Sequence, residues 1–157
     1  MTRAAASELQ KRALSGVVMI AVALAALWLG GIAFWALVSL LAVLMTVEWA
    51  VMAQASRWQI ILAVALTAAM MAYPLTFLDQ SWLIRHLSTV AIDAVELTGL
   101  FAILLAVVTF RARLGVGLLY VVLPALSLIF LREQVEGLGL TLFTLVVIWA
   151  TDIGAYF

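Results

Sequence analysis

The sequence predicts an all-α fold: a polytopic transmembrane bundle of about six spanning helices, forming a single domain over residues 1–157. Three observations carry that expectation. Of the 157 residues, 68% are hydrophobic and 10% charged, whereas a soluble domain is nearer half apolar and a quarter charged. A water-soluble fold of this size has no interior large enough to hide that much apolar surface. The apolar residues also gather into six runs, near the about 20 residues that a helix needs to cross a ~30 Å hydrocarbon core. The runs are continuous rather than alternating, which argues against the strands of a membrane barrel.

Residues 1–12 hold Arg3, Lys11 and Arg12 and read as a cytoplasmic N-terminal segment. The first run, 13–29, has the basic start of a signal peptide. No small-x-small cleavage site in a polar stretch follows it, so it reads as an uncleaved span, closed by Gly30-Gly31. The second run covers 32–53 and ends at "QASR"; the third covers 59–78. The break after it contains "LIRHLSTVAID". That stretch is either an amphipathic surface helix, with Leu83, Leu87 and Val90 on one face, or a solvated loop. The fourth run covers 94–110 and closes on "RAR", the fifth covers 114–131 and closes on "REQVEG", and the sixth starts at Leu138. Pro74 and Pro124 lie inside runs three and five. Each is expected to kink its helix and to free the carbonyl four residues earlier, on Met70 and Tyr120. The six tryptophans mostly sit near run ends, as interfacial anchors do.

Basic residues orient the bundle. With the N-terminus inside, the inner ends carry Arg3, Lys11, Arg12, Arg57, Arg111 and Arg113, and the outer ends only Arg85 and Arg132. Both termini are therefore expected in the cytoplasm. Arg111 and Arg113 are placed to meet anionic headgroups. The formal net charge is zero, so there is no basic field for nucleic acid. The absence of cysteine rules out thiol catalysis and disulfides, and a single histidine, His86, cannot build a His-rich metal site.

The informative residues are the polar ones inside the runs. On a wheel of the last run, Thr141, Thr144, Thr151, Asp152 and Ala155 share a face, with Tyr156 at its border. Asp152 lies roughly 21 Å along the helix from Leu138, at about 1.5 Å per residue. Intramembrane carboxylates usually mark a site facing a bundle interior or wet cavity. The threonines also fit back-bonding to their own helix carbonyls. Glu48, in "MTVEWAV", lies at a similar depth. It either reaches the headgroups or pairs with Arg57 or Arg111, or it joins Asp152 in binding a divalent cation or relaying protons. Glu96 and Glu133 read as solvated outer-end carboxylates.

The segment "WATDIGAYF", preceded by "GVGLLYVVLPALSLIFLRE" and by an N-terminal "KRALSGVVMIAVALAALWLGG", resembles the bacterial phosphatidate cytidylyltransferases, the CDP-diacylglycerol synthases. The likeness covers essentially the whole chain and is strongest at 149–157. It implies transfer of the cytidylyl group of CTP to phosphatidic acid, giving CDP-diacylglycerol and pyrophosphate in phospholipid biosynthesis. It implies Mg²⁺ as cofactor and the bacterial cytoplasmic (inner) membrane as location. By motif position Asp152 belongs to the catalytic cavity, holding metal or orienting a basic partner, with Thr151 and Tyr156 toward substrate. In that family the chain continues into a Ser-Pro-Lys-Lys-Thr-type loop and a charged signature that carries most metal and phosphate ligands. This sequence has neither, so the resemblance implies the N-terminal part of a longer enzyme, inactive alone. Two other readings stand beside it. One is a transporter subunit with Glu48 and Asp152 on an ion or proton path. The other is a structural membrane protein packing through Ala21, Ala25, Ala65 and Ala69.

Overall fold

The computed structural model describes the backbone of residues 3–77 and 80–156 and the side chains of 14–75 and 91–155. Among them are six α-helices and no strand: α1 (Arg3–Leu29), α2 (Gly31–Met52), α3 (Arg57–Ala72), α4 (Gln80–Thr109), α5 (Ala112–Arg132) and α6 (Gly137–Tyr156). Five segments are long and apolar enough to cross a membrane: Gly31–Met52, Arg57–Leu75, Ala91–Thr109, Ala112–Arg132 and Gly137–Ala155. The described apolar part of α1, Leu14–Leu29, is shorter. The molecule is thus a multi-pass membrane protein by its helices.

Short connections make successive helices antiparallel, which gives the bundle two ends. The near end carries the α2–α3 and α4–α5 turns and the C-terminal end of α6. The far end carries the α1–α2, α3–α4 and α5–α6 connections. The α5 helix is central and touches α2, α3, α4 and α6. Its buried set, Leu114, Gly115, Gly117, Leu118, Val121, Val122, Ala125, Leu126 and Ile129, spans two faces. That breadth is what a helix between several neighbours requires.

Packing of α2 against α3 follows from one stripe at four-residue spacing. Phe34, Val38, Ala42, Thr46 and Ala50 are buried on α2; Gln59, Ala63, Thr67 and Met71 are buried on α3. Small residues let the two backbones approach. At the centre the hydroxyls of Thr46 and Thr67 lie 3.0 Å apart. Thr46 donates to the Ala42 carbonyl at 2.9 Å. Its single proton is then used, so Thr67 is the donor of the pair. The four alanines expected to mediate packing, Ala21, Ala25, Ala65 and Ala69, are all exposed. On α3 the small residues that pack, Ala63 and Thr67, lie on the opposite face; size alone does not tell which face is inside.

Two further expectations change. Pro74 does not kink a long third helix: α3 ends at Ala72 and a 3₁₀ turn, Tyr73–Phe77, takes over. The Met70 carbonyl is satisfied by the Tyr73 N–H. The stretch from Gln80 is neither loop nor separate surface helix, but the first part of the 30-residue α4; its side chains, His86 and Arg85 included, lie outside the described residues. Two tryptophans also tie helices together. Trp35 Nε1 donates to the Met71 carbonyl at 2.7 Å, and Trp49 Nε1 to the Arg113 carbonyl at 2.8 Å.

At the far end, Gly30 breaks the chain between α1 and α2 with a φ of 63°. Its missing Cβ also matters, because one built there would stand 2.7 Å from the Arg132 guanidinium. That guanidinium donates from Nε to the Leu27 carbonyl at 2.9 Å. It therefore caps the C-terminus of α1 from another helix, where a cation also meets the negative end of the helix dipole.

Candidate functional site

The near end is built from two turns that close each other. In the first, Gln54 has φ 55°, its N–H bonds the Val51 carbonyl, and the Ala55 N–H bonds the Ala50 carbonyl. In the second, Phe110 has φ 53°, its N–H bonds the Val107 carbonyl, and the Arg111 N–H bonds the Ala106 carbonyl. Both are Schellman endings, which normally place glycine at the left-handed residue. A side chain in that conformation costs about 1–2 kcal/mol.

Each turn leaves one carbonyl for the other to satisfy. Gln59 Nε2, at the start of α3, donates to the Thr109 carbonyl at 3.1 Å, while its Oε1 accepts the Ser56 N–H at 2.9 Å. Arg111 Nη1 donates to the Ala53 carbonyl at 2.8 Å. The Trp49 bond to the Arg113 carbonyl adds a third tie. Its indole lies so close over Gly117 that a Cβ there would be 2.2 Å away, and it stacks on Tyr120 with centroids 5.6 Å apart. The two turns therefore form one clasp.

By the alternation of the helices, Asp152, near the C-terminus of α6, is assigned to this same end, on a part of the helix that is exposed throughout. The polar face read on α6 divides. Thr141 is fully buried against the bundle and donates to the Gly137 carbonyl at 2.7 Å. From Val146 to Ala155 every residue is exposed, Thr151 and Asp152 included. Thr144 and Thr151 donate to carbonyls four residues back, at 2.9 and 2.8 Å. So the threonines do what helical threonines do, and the carboxylate is presented outward without an ion pair among the described residues. The Tyr156 side chain lies outside the described residues.

Glu48 is also exposed. Of the alternatives for it, pairing with Arg57 or Arg111 is not formed among the described residues, and Arg111 is turned to the Ala53 carbonyl. No three His, Cys, Asp or Glu side chains among the described residues come together. A single carboxylate nevertheless suits Mg²⁺, which keeps its water and is held by one or two carboxylates together with substrate phosphates.

An open cleft of about 500 Å³ at the far end is lined by Tyr73, Asp93, Glu96, Leu97 and Leu100. Glu96 is exposed, as expected for an outer carboxylate. Asp93, one turn before it, drew no attention in the sequence because it falls in a polar break. The cleft is at the end opposite Asp152.

The buried polar side chains are Thr46, Gln59, Thr67, Thr98, Thr109 and Thr141. None is ionisable, so the described core offers no charged relay between the ends.

Compared with models of protein families, residues 10–157 match the cytidylyltransferase family. No curated protein and no solved structure matches the chain.

Proposed function

The chain belongs to the cytidylyltransferase family, and from that premise we propose that it serves transfer of the cytidylyl group of CTP to phosphatidic acid in the cytoplasmic membrane of a bacterium. The family match supports nucleotidyl transfer. The bundle of membrane-length helices favours a lipid as the acceptor. The observation that carries the reading is a carboxylate, Asp152, that is exposed and without an ion pair among the described residues, on the helix end that the alternation of helices assigns to the side of Arg57, Arg111 and Arg113. If that end faces the cytoplasm, as the basic bias favours, it is where a soluble nucleotide and a lipid phosphate meet.

In the reaction, an oxygen of the lipid phosphate attacks the α-phosphorus of CTP. The bond to the β-phosphate bridging oxygen breaks, and pyrophosphate leaves. Such a step depends on positioning and charge neutralisation. Mg²⁺ bound with the nucleotide would neutralise charge on the phosphate oxygens, and Asp152 would supply one of its carboxylate ligands or orient a basic group. Thr151, whose hydroxyl donates to the Val147 carbonyl, can still accept a hydrogen bond from substrate at the same oxygen, and would donate one only by turning away from its helix. Tyr156, four residues beyond Asp152, is assigned to the same cavity by motif position.

The alternative of an ion or proton path through Glu48 and Asp152 has less support, because the described core carries no ionisable side chain between the ends.

The test is CTP-dependent synthesis of CDP-diacylglycerol in membranes carrying the complete reading frame, with Asp152→Asn beside it. The variant is expected to lose at least a hundredfold in rate, about 2.7 kcal/mol of transition-state stabilisation, with insertion unchanged. Full activity in the variant would return Asp152 to a structural role. No CDP-lipid from the parent would remove the phosphatidate substrate.

A further inference from the structure

Phe110 is the most exposed aromatic side chain described, at 93%, on a turn where its left-handed backbone favours glycine. A phenylalanine that packs on nothing, at a position unfavourable to any side chain, is understandable if the ring meets something outside the protein. The clasp fixes what lies beside it. Gln59 and Arg111 tie the α4–α5 turn to the start of α3, where Trp58 is 52% exposed. Arg57 and Arg113 flank these two rings and are both exposed. Neither is in an ion pair among the described residues, and Arg111 is the one of the three whose guanidinium the clasp engages.

Depth adds a second constraint. Arg57 is the first residue of the span Arg57–Leu75, and Arg113 the second of Ala112–Arg132. Both guanidiniums therefore start at the edge of the apolar region. Both also stand at helix N-termini, where the backbone dipole adds positive charge. Of the six acidic residues with described side chains, Asp93, Glu96, Glu133 and Glu136 lie at the other end and only Glu48 and Asp152 at this one.

We propose that this end of the bundle is a docking surface for anionic phospholipids, with Arg57 and Arg113 on headgroup phosphates and Trp58 and Phe110 at the boundary of headgroups and acyl chains. Guanidinium forks match phosphate oxygens, aromatic rings favour that boundary, and unpaired positive charge there complements an anionic leaflet. A soluble phosphate would gain from the arginines but not from the two rings. The surface does not depend on the transferase reading, and its test uses no substrate of that reaction.

The chain is reconstituted with equal amounts of phosphatidylcholine and phosphatidylglycerol, and the lipids retained after gentle extraction are counted by native mass spectrometry. The expected result is a preference for phosphatidylglycerol that weakens with salt and survives added inorganic phosphate. The double variant R57A/R113A is expected to lower that preference roughly thirtyfold, as removal of two basic side chains from an anionic surface does, while R57K/R113K keeps most of it. Phe110→Asn suits the left-handed turn better, so it is expected to melt no lower than the parent while retaining fewer anionic lipids. Equal retention of both lipids by the parent would overturn the proposal. So would full displacement by inorganic phosphate, or an unchanged preference in the folded double alanine variant. If the alanine variant fails to fold, the salt dependence of the parent and Phe110→Asn decide by the same criteria.

Discussion

Trp49 and Gly117 show how one residue's smallness sets another's role. The indole can reach the Arg113 carbonyl at 2.8 Å only because nothing projects from residue 117. Gly117→Ala is expected to push the ring away and to destabilise the chain by about 1–3 kcal/mol through overpacking, seen as a lower melting temperature in detergent. Trp49→Phe keeps the apolar contact and loses the bond, at about 1 kcal/mol. Because the two residues touch, the double variant should cost less than the sum of the singles; strict additivity would mean that the ring does not respond to residue 117. None of this was legible in the sequence, where Gly117 was one glycine in an apolar run and Trp49 a presumed anchor. Asp152 was legible, since a carboxylate in a greasy run stands out by its solvation cost alone. Its outward direction was not, because a wheel gives the angle between residues but not where the neighbouring helices are.

At the scale of elements, the clasp predicts coupled behaviour of two turns more than forty residues apart in the chain. Gln59 is its hinge pin, buried, and bonded at both ends of its amide. Gln59→Ala leaves the Thr109 carbonyl and the Ser56 N–H without these partners and is expected to cost about 1–3 kcal/mol. Amide hydrogen exchange should then accelerate in both turns together. Acceleration at 53–59 with protection retained at 106–111 would show that the turns are independent. Helix existence was readable from run length, and the Gly30-Gly31 break from the glycines. The clasp was not, because it consists of side chains meeting main-chain carbonyls of distant segments. Pro74 illustrates the limit: the sequence announced an interruption, but a kink and a helix end look alike until the following residues have a place to go.

For the whole molecule, the testable property is orientation. The near end gathers Arg57, Arg111 and Arg113 against Glu48 and Asp152, and the far end Asp93, Glu96, Glu133 and Glu136 against Arg132. The chain has no cysteine, so single cysteines report cleanly. Val135, 95% exposed at the far end, replaced by Cys should react with a membrane-impermeant thiol reagent on intact cells. Gln54→Cys, at the near end, should react only after permeabilisation. The reverse pattern would put Asp152 on the wrong side for a cytoplasmic nucleotide and remove the geometric support for cytidylyl transfer.

The sequence by itself determined the class of molecule, the number of helices, their order, and the presence of a carboxylate that lipid would not tolerate without a reason. These follow from transfer free energies and helix rise, which are properties of a residue and its near neighbours. Only the tertiary structure decided which face of each helix packs, that α5 is central, that Arg111, Arg132 and Trp49 bond carbonyls of other helices, and that the second half of α6 stands clear of the bundle with Asp152 exposed. In an apolar run every face is hydrophobic, so periodicity carries little signal. The choice between faces falls to shape, through small residues, close backbones and main-chain groups seeking partners, and shape exists only once the helices are assembled.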